Sequence, residues 1–204
     1  MDIILNDETG IVVIYRNLIN NTKEIFDLLM KSNWRREELL MVGKTYLAKR
    51  LLCTYGDEGI TYSFAGKTEK CVPWNQNEGI SRLKKQVSDL FKSKVEYNYA
   101  IVNFYEDHNS KIGYHSDKEK DLVPGASICS ISLGATREFR LQPITKKFTA
   151  INRNRPNLIK IDLNDGDMLI MAGNLQKFWK HAVLESKTPC DPRINITFRL
   201  IKNN

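Results

Sequence analysis

His115-Ser116-Asp117 sets an imidazole and a carboxylate two residues apart. In extended backbone the side chains of residues i and i+2 point the same way, so both groups can face one metal ion. A metal site needs a third ligand, and the chain has only three histidines. His181 follows 66 residues later, just after the aromatic pair Phe178-Trp179. Two imidazoles and one carboxylate on one face of an octahedral ion leave three positions open, the ligand set that suits non-haem Fe(II) and oxygen chemistry. Taken singly the pieces are common: an H-x-D triplet arises often by chance, and a histidine near a strand end is more often an ordinary polar residue. The third histidine, His108 in Glu106-Asp107-His108-Asn109, is expected on the surface, because three ligands are complete without it.

A second constellation is the run from Arg193 to Leu200. Its alternation puts Ile194, Ile196, Phe198 and Leu200 on one face and Arg193, Asn195, Thr197 and Arg199 on the other. Arg193 and Arg199 are six residues apart, about 20 Å along a strand. If each side chain reaches about 7 Å toward the other, roughly 6 Å remains between the guanidinium groups. That gap suits a five-carbon dicarboxylate, and the planar arginine fork binds a carboxylate bidentately. The competing reading is a half-exposed strand with solvated arginines.

These residues must be held by a scaffold, and the pattern along the chain describes one. Thr22 to Lys31 and Glu78 to Lys92 carry apolar residues at helical spacing, which predicts two amphipathic helices packed on one side. Beyond Lys94 the chain breaks into short runs rich in β-branched and aromatic residues: 97–105, 127–133, 137–142, 158–163, 167–172 and 193–201. Asn164-Asp165-Gly166 marks a tight turn between two of them. The expectation is an α+β, mainly β chain: a sandwich, barrel or jelly roll with the N-terminal helices against one sheet.

Length and composition fit that scaffold. A chain of 204 residues with 42% hydrophobic and 27% charged residues reads as one folded domain, 1–204. No repeat or low-complexity linker divides it. The longest aliphatic run, Ile11-Val12-Val13-Ile14, is far short of the ~20 residues of a membrane-spanning helix, and the acidic N-terminus carries no export signal. Cys53, Cys71, Cys129 and Cys190 lack C-x-x-C spacing, so four thiols in a reducing, intracellular compartment are expected, nucleus or cytoplasm rather than secretion. The excess of 31 Lys and Arg over 24 Asp and Glu, a formal charge of +7, fits a polyanionic partner without requiring one.

Together, His115-Ser116-Asp117, His181 and Arg193-x-Asn195-x-Thr197-x-Arg199 resemble the AlkB family of Fe(II)- and 2-oxoglutarate-dependent nucleic-acid dealkylases. The segment from Tyr55 to Gly66 resembles the substrate lid of the mammalian branch that prefers double-stranded DNA. Pro124-Gly125-Ala126-Ser127-Ile128 and Ser130-Ile131-Ser132-Leu133-Gly134-Ala135 match that branch too, and the likeness covers roughly residues 40 to 200. The resemblance implies a double-stranded β-helix, a jelly-roll variant, with residues 1–95 supplying helices and lid and 96–204 the core. It implies His115, Asp117 and His181 as iron ligands and 2-oxoglutarate and O2 as cosubstrates. Arg193 and Tyr105 would hold the distal carboxylate, Arg199 and Asn103 the metal-proximal end, with Asn195 nearby. Tyr62 and Phe64 would line a base pocket, and Glu119 would face the polar edge or positive charge of the base.

The implied reaction hydroxylates a methyl group on a base nitrogen at the expense of 2-oxoglutarate, yielding succinate, carbon dioxide and formaldehyde. 1-Methyladenine and 3-methylcytosine in DNA, and in RNA as well, are the expected substrates: lost pairing lowers the cost of flipping such a base, and an aromatic, acidic pocket favours its charge. Lys49-Arg50, Lys146-Lys147, Arg153 and Arg155 are expected to contact phosphates from loops at the rim. The family's double-strand branch inserts an aromatic finger where this chain offers Val42, a smaller wedge, so duplex preference is in question. A monomer off the membrane is the expected acting unit. Two rival readings remain, a hydroxylase of a protein side chain and a non-catalytic reader of damaged nucleic acid.

Overall fold

The computed structural model describes residues 1–202 except 42, 65–66, 92–95, 118–120, 152 and 155; over 40–41, 62–64 and 67–69 it describes the backbone alone. The chain begins with β1 (Asp2–Asp7), β2 (Gly10–Tyr15), α1 (Thr22–Leu29), β3 (Arg35–Met41) and β4 (Lys44–Gly56). There follow β5 (Thr61–Phe64), β6 (Lys67–Lys70), β7 (Val72–Pro73) and α2 (Glu78–Phe91). Next come β8 (Tyr99–Tyr105), β9 (Ile112–His115), β10 (Ile128–Gly134), β11 (Arg137–Pro143), α3 (Thr145–Ala150) and β12 (Ile159–Leu163). The last elements are β13 (Met168–Ala172), α4 (Leu175–Phe178), β14 (Trp179–Val183) and β15 (Arg193–Arg199).

The strands form a large sheet in the order β1-β2-β13-β10-β15-β8-β4-β3, with β7 parallel beside β4, and a four-stranded sheet in the order β12-β11-β14-β9. β5 and β6 pair with each other as a separate hairpin. The two sheets enclose one apolar cluster that includes Val12, Ile14, Phe139, Leu141, Ile161 and Leu169. The amphipathic helices cover the other face of the large sheet: Ile25 and Leu29 of α1 and Ile80, Leu83 and Val87 of α2 pack with Val102, Ile194 and Phe198. This is the expected jelly roll with helices on one sheet. Being covered on both faces, β8 and β15 are buried along their whole length.

The first 95 residues hold both expected helices and, in addition, seven strands. Ile11 to Ile14 belongs to β2, which sits between β1 and β13 and so is apolar without interruption. Asp7 closes the β1–β2 turn by accepting hydrogen bonds from the Thr9 N–H (2.7 Å) and hydroxyl (2.6 Å). The Asn164-Asp165-Gly166 turn forms as predicted, with Gly166 at φ 76°, yet it joins no hairpin. It carries the chain from β12 in the small sheet to β13 in the large one. Gly134, at φ 84°, makes the reverse crossing between β10 and β11, where a Cβ would lie 2.5 Å from the Pro192 carbonyl oxygen.

Candidate metal centre and cosubstrate pocket

Two strands that the residue patterns did not reveal carry the histidines. β9 and β14 are antiparallel neighbours whose register sets His115 directly opposite His181, with ring centroids 4.2 Å apart. Asp117 lies two residues past the end of β9, and its Oδ1 is 3.7 Å from His115 Nε2 and 4.0 Å from His181 Nε2. One ligand atom from each residue lies within 4.8 Å of the others. The surroundings fix this arrangement. The Ser116 hydroxyl donates to the Trp179 carbonyl (2.9 Å), and the Asp117 N–H donates to Gln176 Oε1 on α4 (2.9 Å). His115 Nδ1 sits 2.8 Å from the Gly113 carbonyl oxygen, so a proton there leaves Nε2 with its lone pair for a metal. Phe139 stacks on the His181 ring at 5.5 Å.

The electrostatics suit metal ligation. Burial pushes the Asp117 carboxyl upward, but Arg199 and the two histidines outweigh it and leave the group below its ordinary value. Burial drives His181 down to about 3, assisted by His115 and Arg199 against the pull of Asp117. At neutral pH the carboxylate is ionised and the buried imidazole neutral, the forms that bind a cation.

β15 borders the same cavity, which holds about 610 Å³ of empty space including its open mouth. As the alternation predicts, Ile194, Ile196 and Phe198 enter the helix-side core, and Arg193, Asn195, Thr197 and Arg199 line the cavity. Arg193 is buried and donates from Nη2 to the Ser132 hydroxyl (2.9 Å), while its Nε and Nη1 have no hydrogen-bond partner among the described residues. Tyr105 faces it across the β8–β15 pairing, with the guanidinium 5.1 Å from the ring centre. Buried donors without acceptors are costly, and a carboxylate accepting from that fork satisfies them. At the other end Arg199 Nη2 lies 2.9 Å from Asp117 Oδ2, so the metal carboxylate and the second arginine touch. The donor set therefore fits Fe(II) at the triad and 2-oxoglutarate between the triad and Arg193.

The other expected residues fall into three groups. Asn103 and Asn195 line the cavity as expected, but as struts: Asn103 Oδ1 accepts from Arg50 Nε (2.7 Å), and Asn195 Nδ2 donates to the Ser130 hydroxyl (2.8 Å) and the Ile131 carbonyl (2.9 Å). Arg50 requires a correction. It lies inside β4 rather than in a rim loop, is buried, and pairs with Glu37 (3.0 Å), so its guanidinium faces the cavity and not a phosphate backbone. Its neighbour Lys49 pairs with Glu185 (2.7 Å), and Arg153 is likewise engaged, by Glu8 and Asp7. Lys146 and Lys147 are exposed on α3. Val42, Glu119 and Arg155 lie outside the described residues, as do the side chains of Tyr62 and Phe64. His108 is absent from the cavity lining.

Pattern reading also passed over residues that matter. Gln176 and Ser132 each contribute one polar contact across about sixty positions of sequence, which no local pattern announces. Arg137 was legible in principle: it alternates with Phe139 and Leu141 on the inward face of β11.

The model of the 2OG-Fe(II) oxygenase superfamily matches residues 12–199. The chain belongs to that superfamily. Human DNA oxidative demethylase ALKBH2 is 33% identical over 159 residues, which cover 78% of this chain and 59% of that protein. Human alpha-ketoglutarate-dependent dioxygenase alkB homolog 3 is 30% identical over 173 residues, 82% of this chain and 57% of its own length. The chain thus spans less than two thirds of these curated relatives, and both bear out the AlkB resemblance. The solved structure of OsALKBH1 superposes with a TM-score of 0.56 at 18% identity, covering 98% of this chain and 100% of that one, a likeness of fold. This oxygenase fold thus accounts for the jelly roll and for the triad within it.

Proposed function

We propose that this oxygenase removes N-methyl groups from damaged bases, 1-methyladenine and 3-methylcytosine, in DNA and also in RNA. One observation carries the oxygenase part: a single cavity sets His115, Asp117 and His181 at one end and the unsatisfied donors of Arg193 at the other. When bound, iron and 2-oxoglutarate supply oxidative decarboxylation coupled to hydroxylation of the methyl carbon, after which the hydroxymethyl group leaves as formaldehyde. The chain's own residues do the holding. Arg193 and Tyr105 secure the distal carboxylate, Asp117 stays ionised beside Arg199, and Phe139 fixes the plane of His181.

The nucleic-acid part is supported by the relatives' names and by chemistry. A base methylated on its pairing edge is cheaper to flip out of a helix than an intact one. Exposed Lys146 and Lys147 make no ion pair among the described residues and are available to phosphates, so affinity falls steeply with salt. A single chain is the proposed acting unit. Four cysteines outside any disulfide support an intracellular setting, nucleus or cytoplasm. Among the described residues no helix is long and apolar enough to cross a membrane.

The test is mass spectrometry of oligonucleotides carrying one 1-methyladenine, incubated with Fe(II), 2-oxoglutarate and the protein. The expected result is a strand lighter by one methylene, and none with Asp117→Ala. Turnover by Asp117→Ala would overturn the metal assignment. Succinate formed with every methyl group retained would overturn the base assignment and point to another substrate.

A further inference from the structure

Among the described residues four arginines are buried: Arg50, Arg137, Arg193 and Arg199. Two of them have carboxylate partners, Glu37 for Arg50 at 3.0 Å and Asp117 for Arg199 at 2.9 Å. Arg137 and Arg193 have none among the described residues, and both lie against the same ring. The Arg193 guanidinium is 5.1 Å and the Arg137 guanidinium 5.6 Å from the centre of Tyr105, so the two cations are within about 11 Å of each other.

Among the described residues Arg137 is held by neutral acceptors alone. Its Nη1 donates to the Asp107 carbonyl (3.0 Å), and its Nη2 to the carbonyls of Ser110 (2.8 Å) and Leu184 (2.7 Å). Those bonds fix the position of the charge without neutralising it. Burial and the proximity of Arg137 hold Arg193 below the ordinary arginine value, with Tyr105 partly offsetting them. Burying two like charges with no counter-ion is costly, and an anion lodged beside Arg193 relieves both.

We propose that Arg137 is a positioning residue for the cosubstrate: a second fixed cation behind Tyr105 that makes the far end of the cavity an anion site formed before any metal binds. Its action on the ligand is electrostatic and indirect, since Arg193 and Tyr105 make the contacts. The proposal rests on assigning this cavity to 2-oxoglutarate and is independent of whether the oxidised substrate is a nucleic acid. A chain that consumes 2-oxoglutarate without demethylating any base would defeat the nucleic-acid reading and leave this one standing.

The experiment uses the full chain stripped of metal with a chelator. Glutarate, a five-carbon dicarboxylate that lacks the 2-oxo group needed for chelation, is titrated in while thermal unfolding is followed; glutaramide, equal in length and uncharged, is the control. Glutarate is expected to raise the unfolding temperature and glutaramide to leave it unchanged. Absence of a glutarate shift would overturn the preformed anion site. Two variants then separate charge from scaffolding. Arg137→Gln keeps hydrogen-bond donors and removes the charge; Arg137→Lys keeps the charge and loses the fork. With the carboxylate taken to lie about as far from Arg137 as Arg193 does, at most about 11 Å, a unit charge at an effective dielectric of about 20 is worth on the order of tenfold in affinity. Arg137→Gln is therefore expected to bind glutarate about tenfold more weakly, and with iron restored its KM for 2-oxoglutarate should rise by a similar factor with kcat within about twofold. Arg137→Lys should stay within about threefold of wild type in both measurements. Equal losses in the two variants would reduce Arg137 to a scaffold residue, and wild-type binding by Arg137→Gln would remove its role. Should Arg137→Gln fail to fold, Arg137→Lys decides alone: retained glutarate binding supports the charge, and lost binding overturns it.

Discussion

Gln176→Leu tests whether the metal carboxylate is held from outside the triad. Gln176 Oε1 is the acceptor for the Asp117 N–H at 2.9 Å, and Asp117 is buried, so a leucine leaves that donor without a partner and without access to water. Such a loss costs about 1–3 kcal/mol. In a chain of this size each kcal/mol lowers the unfolding midpoint by about 2–4 °C, so a fall of roughly 2–12 °C is expected. The larger consequence concerns the metal. Groups that orient a ligand from behind typically change metal affinity by about 10–100-fold when removed. Calorimetric titration with Co(II), an air-stable stand-in for Fe(II), should show a weakening in that range for Gln176→Leu and little change for Gln176→Glu, which keeps an acceptor oxygen. If Gln176→Leu loses stability yet binds Co(II) like wild type, Gln176 only props up α4, and the argument that it aims Asp117 is refuted.

Two further outcomes follow from buried titratable groups. His181 is held near 3 in the folded chain against 6.5 when free, so the unfolded state takes up the proton first as pH falls; the associated stability is complete above about pH 6.5 and is lost progressively toward pH 3. Asp117, also lowered, adds loss of the same sign below about 3.8. The urea midpoint of the metal-free protein should therefore drop steadily between pH 7 and pH 4.5, and a flat profile would contradict the burial of a neutral His181. Cys53 is pushed by burial up to about 12, and burial pushes Cys129 up as well, so both stay protonated at pH 8. Ellman's reagent should reach only the half-buried Cys71 and Cys190 in the folded protein and all four thiols after unfolding; rapid labelling of four in the native state would show that the core is open.

Much of the fold was legible in residue order, and the exceptions have physical causes. The alternation of Arg193 to Arg199 announced both its apolar and its polar face, because a strand between helices and a cavity needs opposite chemistry on its two sides. β9 and β14 were not legible, although they carry the histidines. They span four and five residues, Ile-Gly-Tyr-His and Trp-Lys-His-Ala-Val, too short for a period of two to stand out. Their importance comes from the cross-strand register that brings His115 to His181, a long-range fact. The same limit explains Arg50. Next to Lys49 it reads as part of a basic surface, but β4 turns Lys49 outward to Glu185 and Arg50 inward to Glu37 and Asn103. Neighbours in sequence face opposite ways in a strand, so a pair of basic residues there is not a patch.

The most direct test of the whole account is the stoichiometry of products. Fe(II)-loaded protein is given 2-oxoglutarate and matched oligonucleotides with and without a single 1-methyladenine, as single strands and as duplexes, and succinate and formaldehyde are counted together. Equimolar succinate and formaldehyde, formed only with the methylated strands, is the predicted result. Neither product, from protein shown to bind iron at His115, Asp117 and His181, would contradict it.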